Sequence, residues 1–263
     1  MQRTLVIDSG VGGLSVVGAI RATMPDLAII YIADNAWFPY GKRSEAELTA
    51  RLIELVESAL EAFACEAVVV ACNTASTVVL DALRARFTLP VVGVVPPIKT
   101  AGEVSKSRVI GLLATEATVL RPYVKNLVEQ FAVDCRLISI GSARLAEMAE
   151  EKLRGEVVDR AALRDILQPF FGEGAPPVDT VVLGCTHYPL LLDELQSVSP
   201  EGVRWLDSSP AIARRLAQVL AEQPKPAHRL ADHVLFTARI GGVDDLAMYL
   251  RGIGLPPPER FPS

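Results

Sequence analysis

Short apolar runs rich in β-branched residues alternate with longer amphipathic stretches along the whole chain, and few folds accept that pattern. Runs at 4–7, 28–33, 67–71 and 91–94, and again at 108–113, 136–139, 180–183 and 204–206, read as strands. Helical periodicity fills 13–24 up to Pro25, 44–64, the stretch through Arg86, 145–153 and 161–171. Ser44, followed three residues later by Glu47, forms a capping-box signature at the start of the longest of these. Strands that are apolar along their whole length and alternate with helices predict parallel sheets covered on both faces.

The pattern also echoes itself. Val68-Val69-Val70-Ala71-Cys72-Asn73-Thr74 returns as Val181-Val182-Leu183-Gly184-Cys185-Thr186-His187, and the ending Asp8-Ser9-Gly10 has a weaker counterpart at Ala114-Thr115. Pro96-Pro97 marks a crossing between halves, because a proline pair suits a boundary better than an element interior. Asp207-Ser208-Ser209-Pro210 marks a return crossing. The expected fold is therefore α/β, with two similar parallel-sheet domains in a pseudo-twofold relation. One would take 1–96 plus 208–263, the other 97–207, with the active site in the cleft between them. Ligands of open α/β sheets lie beyond the carboxyl ends of the strands, where Cys72 and Cys185 fall.

Composition removes whole classes of function. Half of the 263 residues are apolar and 22% are charged, which suits a packed core. With 26 basic against 31 acidic residues the net charge is −5, which argues against a nucleic-acid partner. Lys42-Arg43 and Arg214-Arg215 read as solvated surface charge. No run approaches the roughly 20 apolar residues of a membrane span, and the start lacks a signal-peptide core. Four cysteines with no CxxC pair fit a reducing compartment, so a cytoplasmic protein is expected.

Two of those cysteines stand apart. Cys65 and Cys135 lie in apolar surroundings and read as buried filler. Cys72 and Cys185 lie at strand-to-helix turns, where free N–H groups and the helix dipole favour a thiolate, with polar groups just downstream. His187 could act as acid, base, metal ligand or helix cap. A zinc site is the weaker reading because no fourth ligand is evident, and no metal is expected. His228 and His233 read as surface residues.

Asp8-Ser9-Gly10-Val11-Gly12-Gly13-Leu14-Ser15 follows the first strand and could present N–H groups to an anion. It falls short of a dinucleotide fingerprint because Ser15 replaces the third glycine, although Asp34 imitates the ribose-binding acid. The loop from Asp34 to Lys42, with Trp37, Phe38 and Tyr40, reads equally as a packed anchor or a ligand lid. Two thiols from equivalent halves, facing one carbon from opposite sides, are what stereoinversion requires. Hydroxyl and amide groups of Ser9, Asn73, Thr74 and Thr186 suit the developing charge. No pyridoxal-lysine motif is present, so a route without cofactor is expected.

Together these segments, with Pro39-Tyr40-Gly41, Val94-Val95-Pro96, Ala71-Cys72-Asn73-Thr74-Ala75-Ser76, Ala114-Thr115-Glu116-Ala117-Thr118 and Gly184-Cys185-Thr186-His187-Tyr188-Pro189-Leu190-Leu191, resemble the glutamate racemases of the cofactor-independent aspartate/glutamate racemase superfamily. The resemblance implies interconversion of L- and D-glutamate, supplying D-glutamate for peptidoglycan, by an enzyme often assembled as a homodimer. It implies that Cys72 acts on the D-enantiomer and Cys185 on the L-enantiomer, assisted by Asp8 and His187 respectively. Ser9, Tyr40, Gly41, Asn73, Thr74 and Thr186 match its substrate-binding positions. The chain departs from the family at Trp37, where an arginine is common, at Ser142-Ala143-Arg144, shortly before the acid that matches Glu147, and in the loose match of Phe236-Thr237-Ala238-Arg239. An aspartate racemase is the nearest rival. A nucleotide-dependent oxidoreductase and a non-catalytic amino-acid-binding protein stand further off.

Overall fold

The computed structural model describes residues 2–223 and 230–261; His228 lies outside them. The strands are β1 (Arg3–Asp8), β2 (Ala28–Ala33), β3 (Ala67–Val70), β4 (Val91–Gly93), β5 (Val109–Ala114), β6 (Arg136–Gly141), β7 (Thr180–Gly184), β8 (Arg204–Leu206), β9 (His233–Phe236) and β10 (Glu259–Arg260). The helices are α1 (Leu14–Thr23), α2 (Glu45–Ala62), α3 (Asn73–Arg86), α4 (Ile98–Val104), α5 (Glu116–Val119), α6 (Pro122–Phe131), α7 (Ala143–Leu153), α8 (Arg160–Phe171), α9 (Leu192–Ser197), α10 (Ser209–Ala221) and α11 (Val243–Gly252).

Two parallel sheets result. One has the order β10-β9-β2-β1-β3-β4, the other β6-β5-β7-β8. The segment 2-1-3-4 of the first corresponds strand for strand to 6-5-7-8 of the second. In each, the chain moves one way from the leading strand and then returns to its other side, so the order reverses between β1 and β3 and between β5 and β7. Such switch points leave a crevice at the carboxyl edge. Asp8 and Cys72 lie at one, Thr115 and Cys185 at the other.

Period-two alternation explains how both faces of each sheet are covered. In the first sheet Val6, Tyr31 and Val69 pack in one core with α1, α10 and α11. Leu5, Ile7, Ile30, Val68 and Val70 pack on the opposite face with α2 and α3. In the second, Leu113, Val181 and Leu183 join α7, α8 and α9, whereas Ile110, Leu112 and Val182 face α4 and α6. Helix α2 begins as its sequence dictates: the Ser44 side chain accepts from the Glu47 N–H, and the Glu47 carboxylate accepts from Ser44 N–H. Among the described residues no helix is long and apolar enough to cross a membrane.

Two expectations need correction. His233 is part of β9 and half-buried, with its ring centroid 5.0 Å from that of Phe63. Cys135 packs against the α4/α6 core as expected, but it is only half-buried and has a polar neighbour too: its Sγ lies 3.8 Å from the Asp134 carboxylate, which also pairs with Arg108. Cys65 is half-buried, and burial pushes its thiol up to about 11.

Candidate active site

Four strand ends converge on the cleft between the sheets. Asp8 closes β1 with no exposed surface, and its Oδ2 accepts from the Gly13 N–H at 2.8 Å. Cys72 follows β3 and occupies the position before the first turn of α3; it is 8% exposed. Burial first, and the Asp8 carboxylate next, push its thiol well above the ordinary cysteine value, and Cys185 opposes its ionisation further. A hydrogen bond from the Ala75 N–H acts the other way. Burial likewise raises Asp8 above the usual carboxylate range, although nearby His187 offsets part of this.

Cys185 follows β7 and is 7% exposed. Its Sγ stands 3.8 Å from Nδ1 of His187, whose Nε2 is 2.9 Å from Oε1 of Glu150. Burial alone would lower the imidazole's proton affinity. The contacts with Cys185 and Glu150 outweigh it, and the His187 pKa lies well above the usual histidine value. Glu150 is thus the acid at the site. Glu147, the position matched above to an acid of the family, pairs with Arg144 at 3.5 Å.

Two N–H groups of the glycine turn after β1 are taken by the protein's own carboxylates: Gly13 N–H points to Asp8, and Val11 N–H points to Glu150 Oε1 at 2.7 Å. Gly10 and Gly12 are needed for room: a Cβ at Gly10 would lie 2.0 Å from Glu150 Oε1, and one at Gly12 would enter the His187 ring.

Asp34 is equally unlike a ribose-binding acid. Its carboxylate accepts from Arg51 Nε and Nη2 at 3.0 and 2.7 Å, from the Tyr40 hydroxyl at 3.0 Å and from Thr237 Oγ1 at 2.8 Å. That consumes its lone pairs and removes the basis for a nucleotide site. Trp37 packs beneath two guanidiniums, those of Arg43 and Arg51, at 4.9 and 5.6 Å from its ring centroid. The loop is an anchor there, so Arg43 is more than solvated charge. Phe38 of the same loop faces His187 with ring centroids 5.6 Å apart.

The other polar residues line the same cleft. Ser9, Asn73, Thr74, Thr186 and His187 are all buried. Oδ1 of Asp8 and both amide atoms of Asn73 have no protein partner, an uncommon state for buried polar atoms and one that marks a place for a ligand. Thr74 Oγ1 lies 3.2 Å from the hydroxyls of both Thr115 and Thr118 across the cleft. Ser15 Oγ donates to the Thr186 carbonyl, another link between halves. Gly41 is exposed at the start of the cleft, 3.4 Å from Ala117 as measured from an added Cβ. Among the described residues no cluster of three or more His, Cys, Asp or Glu is arranged to hold a metal. Cys72 and Cys185, one beyond each sheet's switch point, are thus each buried near a titratable side chain, Asp8 and His187 respectively, with further polar side chains around them.

Comparisons with known proteins agree with this chemistry. A family model described as Asp/Glu/Hydantoin racemase matches residues 14–216. A glutamate racemase of Pectobacterium atrosepticum is 52% identical over 222 residues, covering 84% of this chain and 78% of that protein. One of Klebsiella pneumoniae is 48% identical over 259 residues, covering 98% and 91%. The Escherichia coli glutamate racemase, solved in complex with L-glutamate and activator UDP-MurNAc-ala, superposes with a TM-score of 0.92 at 47% identity, covering 99% of this chain and 98% of the other.

Proposed function

Because the chain belongs to the Asp/Glu/hydantoin racemase family, we propose that it interconverts L- and D-glutamate without a cofactor, using Cys72 and Cys185 as opposed bases. The observation that carries this reading is the equivalent placement of the two buried thiols, after β3 and after β7, at the switch points of two sheets of the same strand order.

Starting from L-glutamate, the Cys185 thiolate takes the α-proton: the C–H bond breaks, an S–H bond forms, and the electron pair stays on carbon. The Cys72 thiol then delivers its proton to the opposite face, leaving a thiolate there. D-glutamate runs the same steps backwards. Each turnover therefore moves one proton from Cys72 to Cys185, and the site resets by proton exchange through Asp8 beside the first thiol and His187 beside the second. The α-proton is a very weak acid, so the developing charge needs fixed donors. Ser9, Asn73, Thr74 and Thr186, with the N-terminal N–H groups of α3, supply them to the substrate's carboxylates. Tyr40 and Gly41 close the neighbouring wall.

The same reading makes 1–96 plus 208–263 and 97–207 two domains. It gives a cytoplasmic enzyme that supplies D-glutamate for peptidoglycan and assembles as a homodimer, which light scattering on the eluting protein would test. The deciding experiment incubates purified protein with L-glutamate in deuterated solvent and no additive. Racemisation with α-deuterium incorporation is expected, and Cys72→Ala and Cys185→Ala should each abolish it. Near-normal turnover by either variant would end the two-thiol mechanism. Turnover of L-aspartate alone would reassign the substrate.

A further inference from the structure

The described mechanism gives no role to a guanidinium that touches its Glu150. Arg154, at the end of α7, holds its Nη1 3.7 Å from Oε2 of Glu150, the oxygen that does not face His187. The other oxygen, Oε1, is already engaged by His187 and by the Val11 N–H. We propose that Arg154 is a positioning residue for proton transfer at Cys185, fixing the Glu150 carboxylate so that His187 stays aimed at the sulfur. The proposal rests on the two-thiol reading above.

Three features support it. Arg154 has a seat built for it: Gly242, which opens α11 at φ +66°, comes so close that a Cβ there would lie 2.8 Å from Arg154 Cβ. Only glycine takes both that backbone conformation and that approach without strain. Second, Arg144 is committed elsewhere, to Glu151 at 2.6 and 2.9 Å and to Glu147 at 3.5 Å, whereas Arg154 is the guanidinium paired with Glu150. Third, the pair forms the wall of a cavity of about 390 Å³ shared with Phe38 and Arg239. Glu150 is partly open to this cavity, so without Arg154 its carboxylate would be free to turn outward and loosen its hold on His187. The pair is partly exposed, 36% and 13% for the two side chains, so its effect is on geometry more than on stability. Among the described residues no equivalent assembly serves Cys72, whose neighbour Asp8 is fixed by the Gly13 N–H.

The test uses a property of any racemase. L- and D-glutamate have equal free energy, so kcat/KM is the same in both directions for every variant and cannot reveal which thiol is impaired. Isotope effects can. Arg154→Gln should lower kcat/KM by roughly 10- to 100-fold, the scale of a slightly misplaced catalytic group. The isotope effect with 2-deutero-L-glutamate should rise, because proton removal by Cys185 becomes limiting, while that with 2-deutero-D-glutamate should fall. Arg154→Lys, which keeps the charge, should recover most of the rate and both isotope effects even if the Gln variant proves too unstable to assay. A racemising wild-type enzyme whose variants match it, or whose two isotope effects move together, overturns the inference alone. A wild-type chain that racemises nothing overturns the two-thiol reading and this inference with it.

Discussion

Gly12 and His187 occupy adjoining volumes with no slack: a Cβ on Gly12 would stand 2.3 Å from Nδ1 and 2.6 Å from Cε1 of the ring. The imidazole is 3% exposed and held on its far side by Glu150, so it has nowhere to retreat. Gly12→Ala should therefore lower kcat about 100-fold by moving His187 away from Cys185. Gly18, within α1 and with nothing within 4 Å of an added Cβ, is the matched control. Gly18→Ala should keep full activity and raise stability by about 0.5–1 kcal/mol in chemical denaturation. Equal activity in the two variants would contradict the steric account.

Asp8 should trade stability for activity. Its folded pKa is raised by burial, so its stabilising contribution is present below the unfolded pKa and is lost as pH rises through the folded one. At neutral pH the ionised group is a cost. Asp8→Asn should thus raise Tm by a few degrees, on the order of 1 kcal/mol for a protein of this size, while slowing racemisation. The gain should shrink as the pH is lowered. A Tm unchanged or lower at neutral pH would count against it.

The same carboxylate adds to the effect of burial on Cys72. With the thiol pushed up by burial and by Asp8, alkylation of Cys72 by iodoacetamide, followed by peptide mass spectrometry, should be slow at neutral pH and climb through the alkaline range. Asp8→Asn removes a negative charge, which favours the thiolate, and should move the midpoint to lower pH. A midpoint unaffected by the substitution would show that Asp8 does not tune this thiol.

Asp34 is a structural hub, and its loss should be felt in folding. Asp34→Ala leaves Arg51 without its carboxylate and unpairs Tyr40 and Thr237 in a site where Asp34 has no exposed surface. A loss of about 3–5 kcal/mol in urea unfolding is expected, the usual consequence of removing one partner of a buried pair. A loss under about 1 kcal/mol would contradict that placement.

The strand and helix pattern, the α2 cap and the paired cysteines were legible because each is local: a run, a spacing or a repeated segment. Glu150 was not. Residue type alone does not separate Glu150 from Glu147 and Glu151, and its partners Val11 and His187 lie far along the chain. A signal did exist in the helical period. Glu150 falls four residues after buried Ala146 and three before buried Leu153, on the inward stripe of α7, whereas Glu147 and Glu151 share the outer stripe with Arg144. The glycine turn shows a second limit: its spacing matches an anion cradle, and only the tertiary packing reveals that two of its N–H groups go to Asp8 and Glu150. Asp34 likewise imitates a ribose ligand in sequence because a strand-end acid and a helix-borne arginine form a pair that no local rule announces.

The chain leaves the six-stranded sheet after β4 and comes back to it through α10 to reach β9, so the β6-β5-β7-β8 sheet hangs from its neighbour by two covalent strands. Between those two crossings the halves are also stitched noncovalently, Val11 N–H to Glu150, Ser15 to the Thr186 carbonyl and Thr74 to Thr115 and Thr118, so the relative placement of the residues after β3 and β7 is set by side chains of both halves and not by the chain path alone.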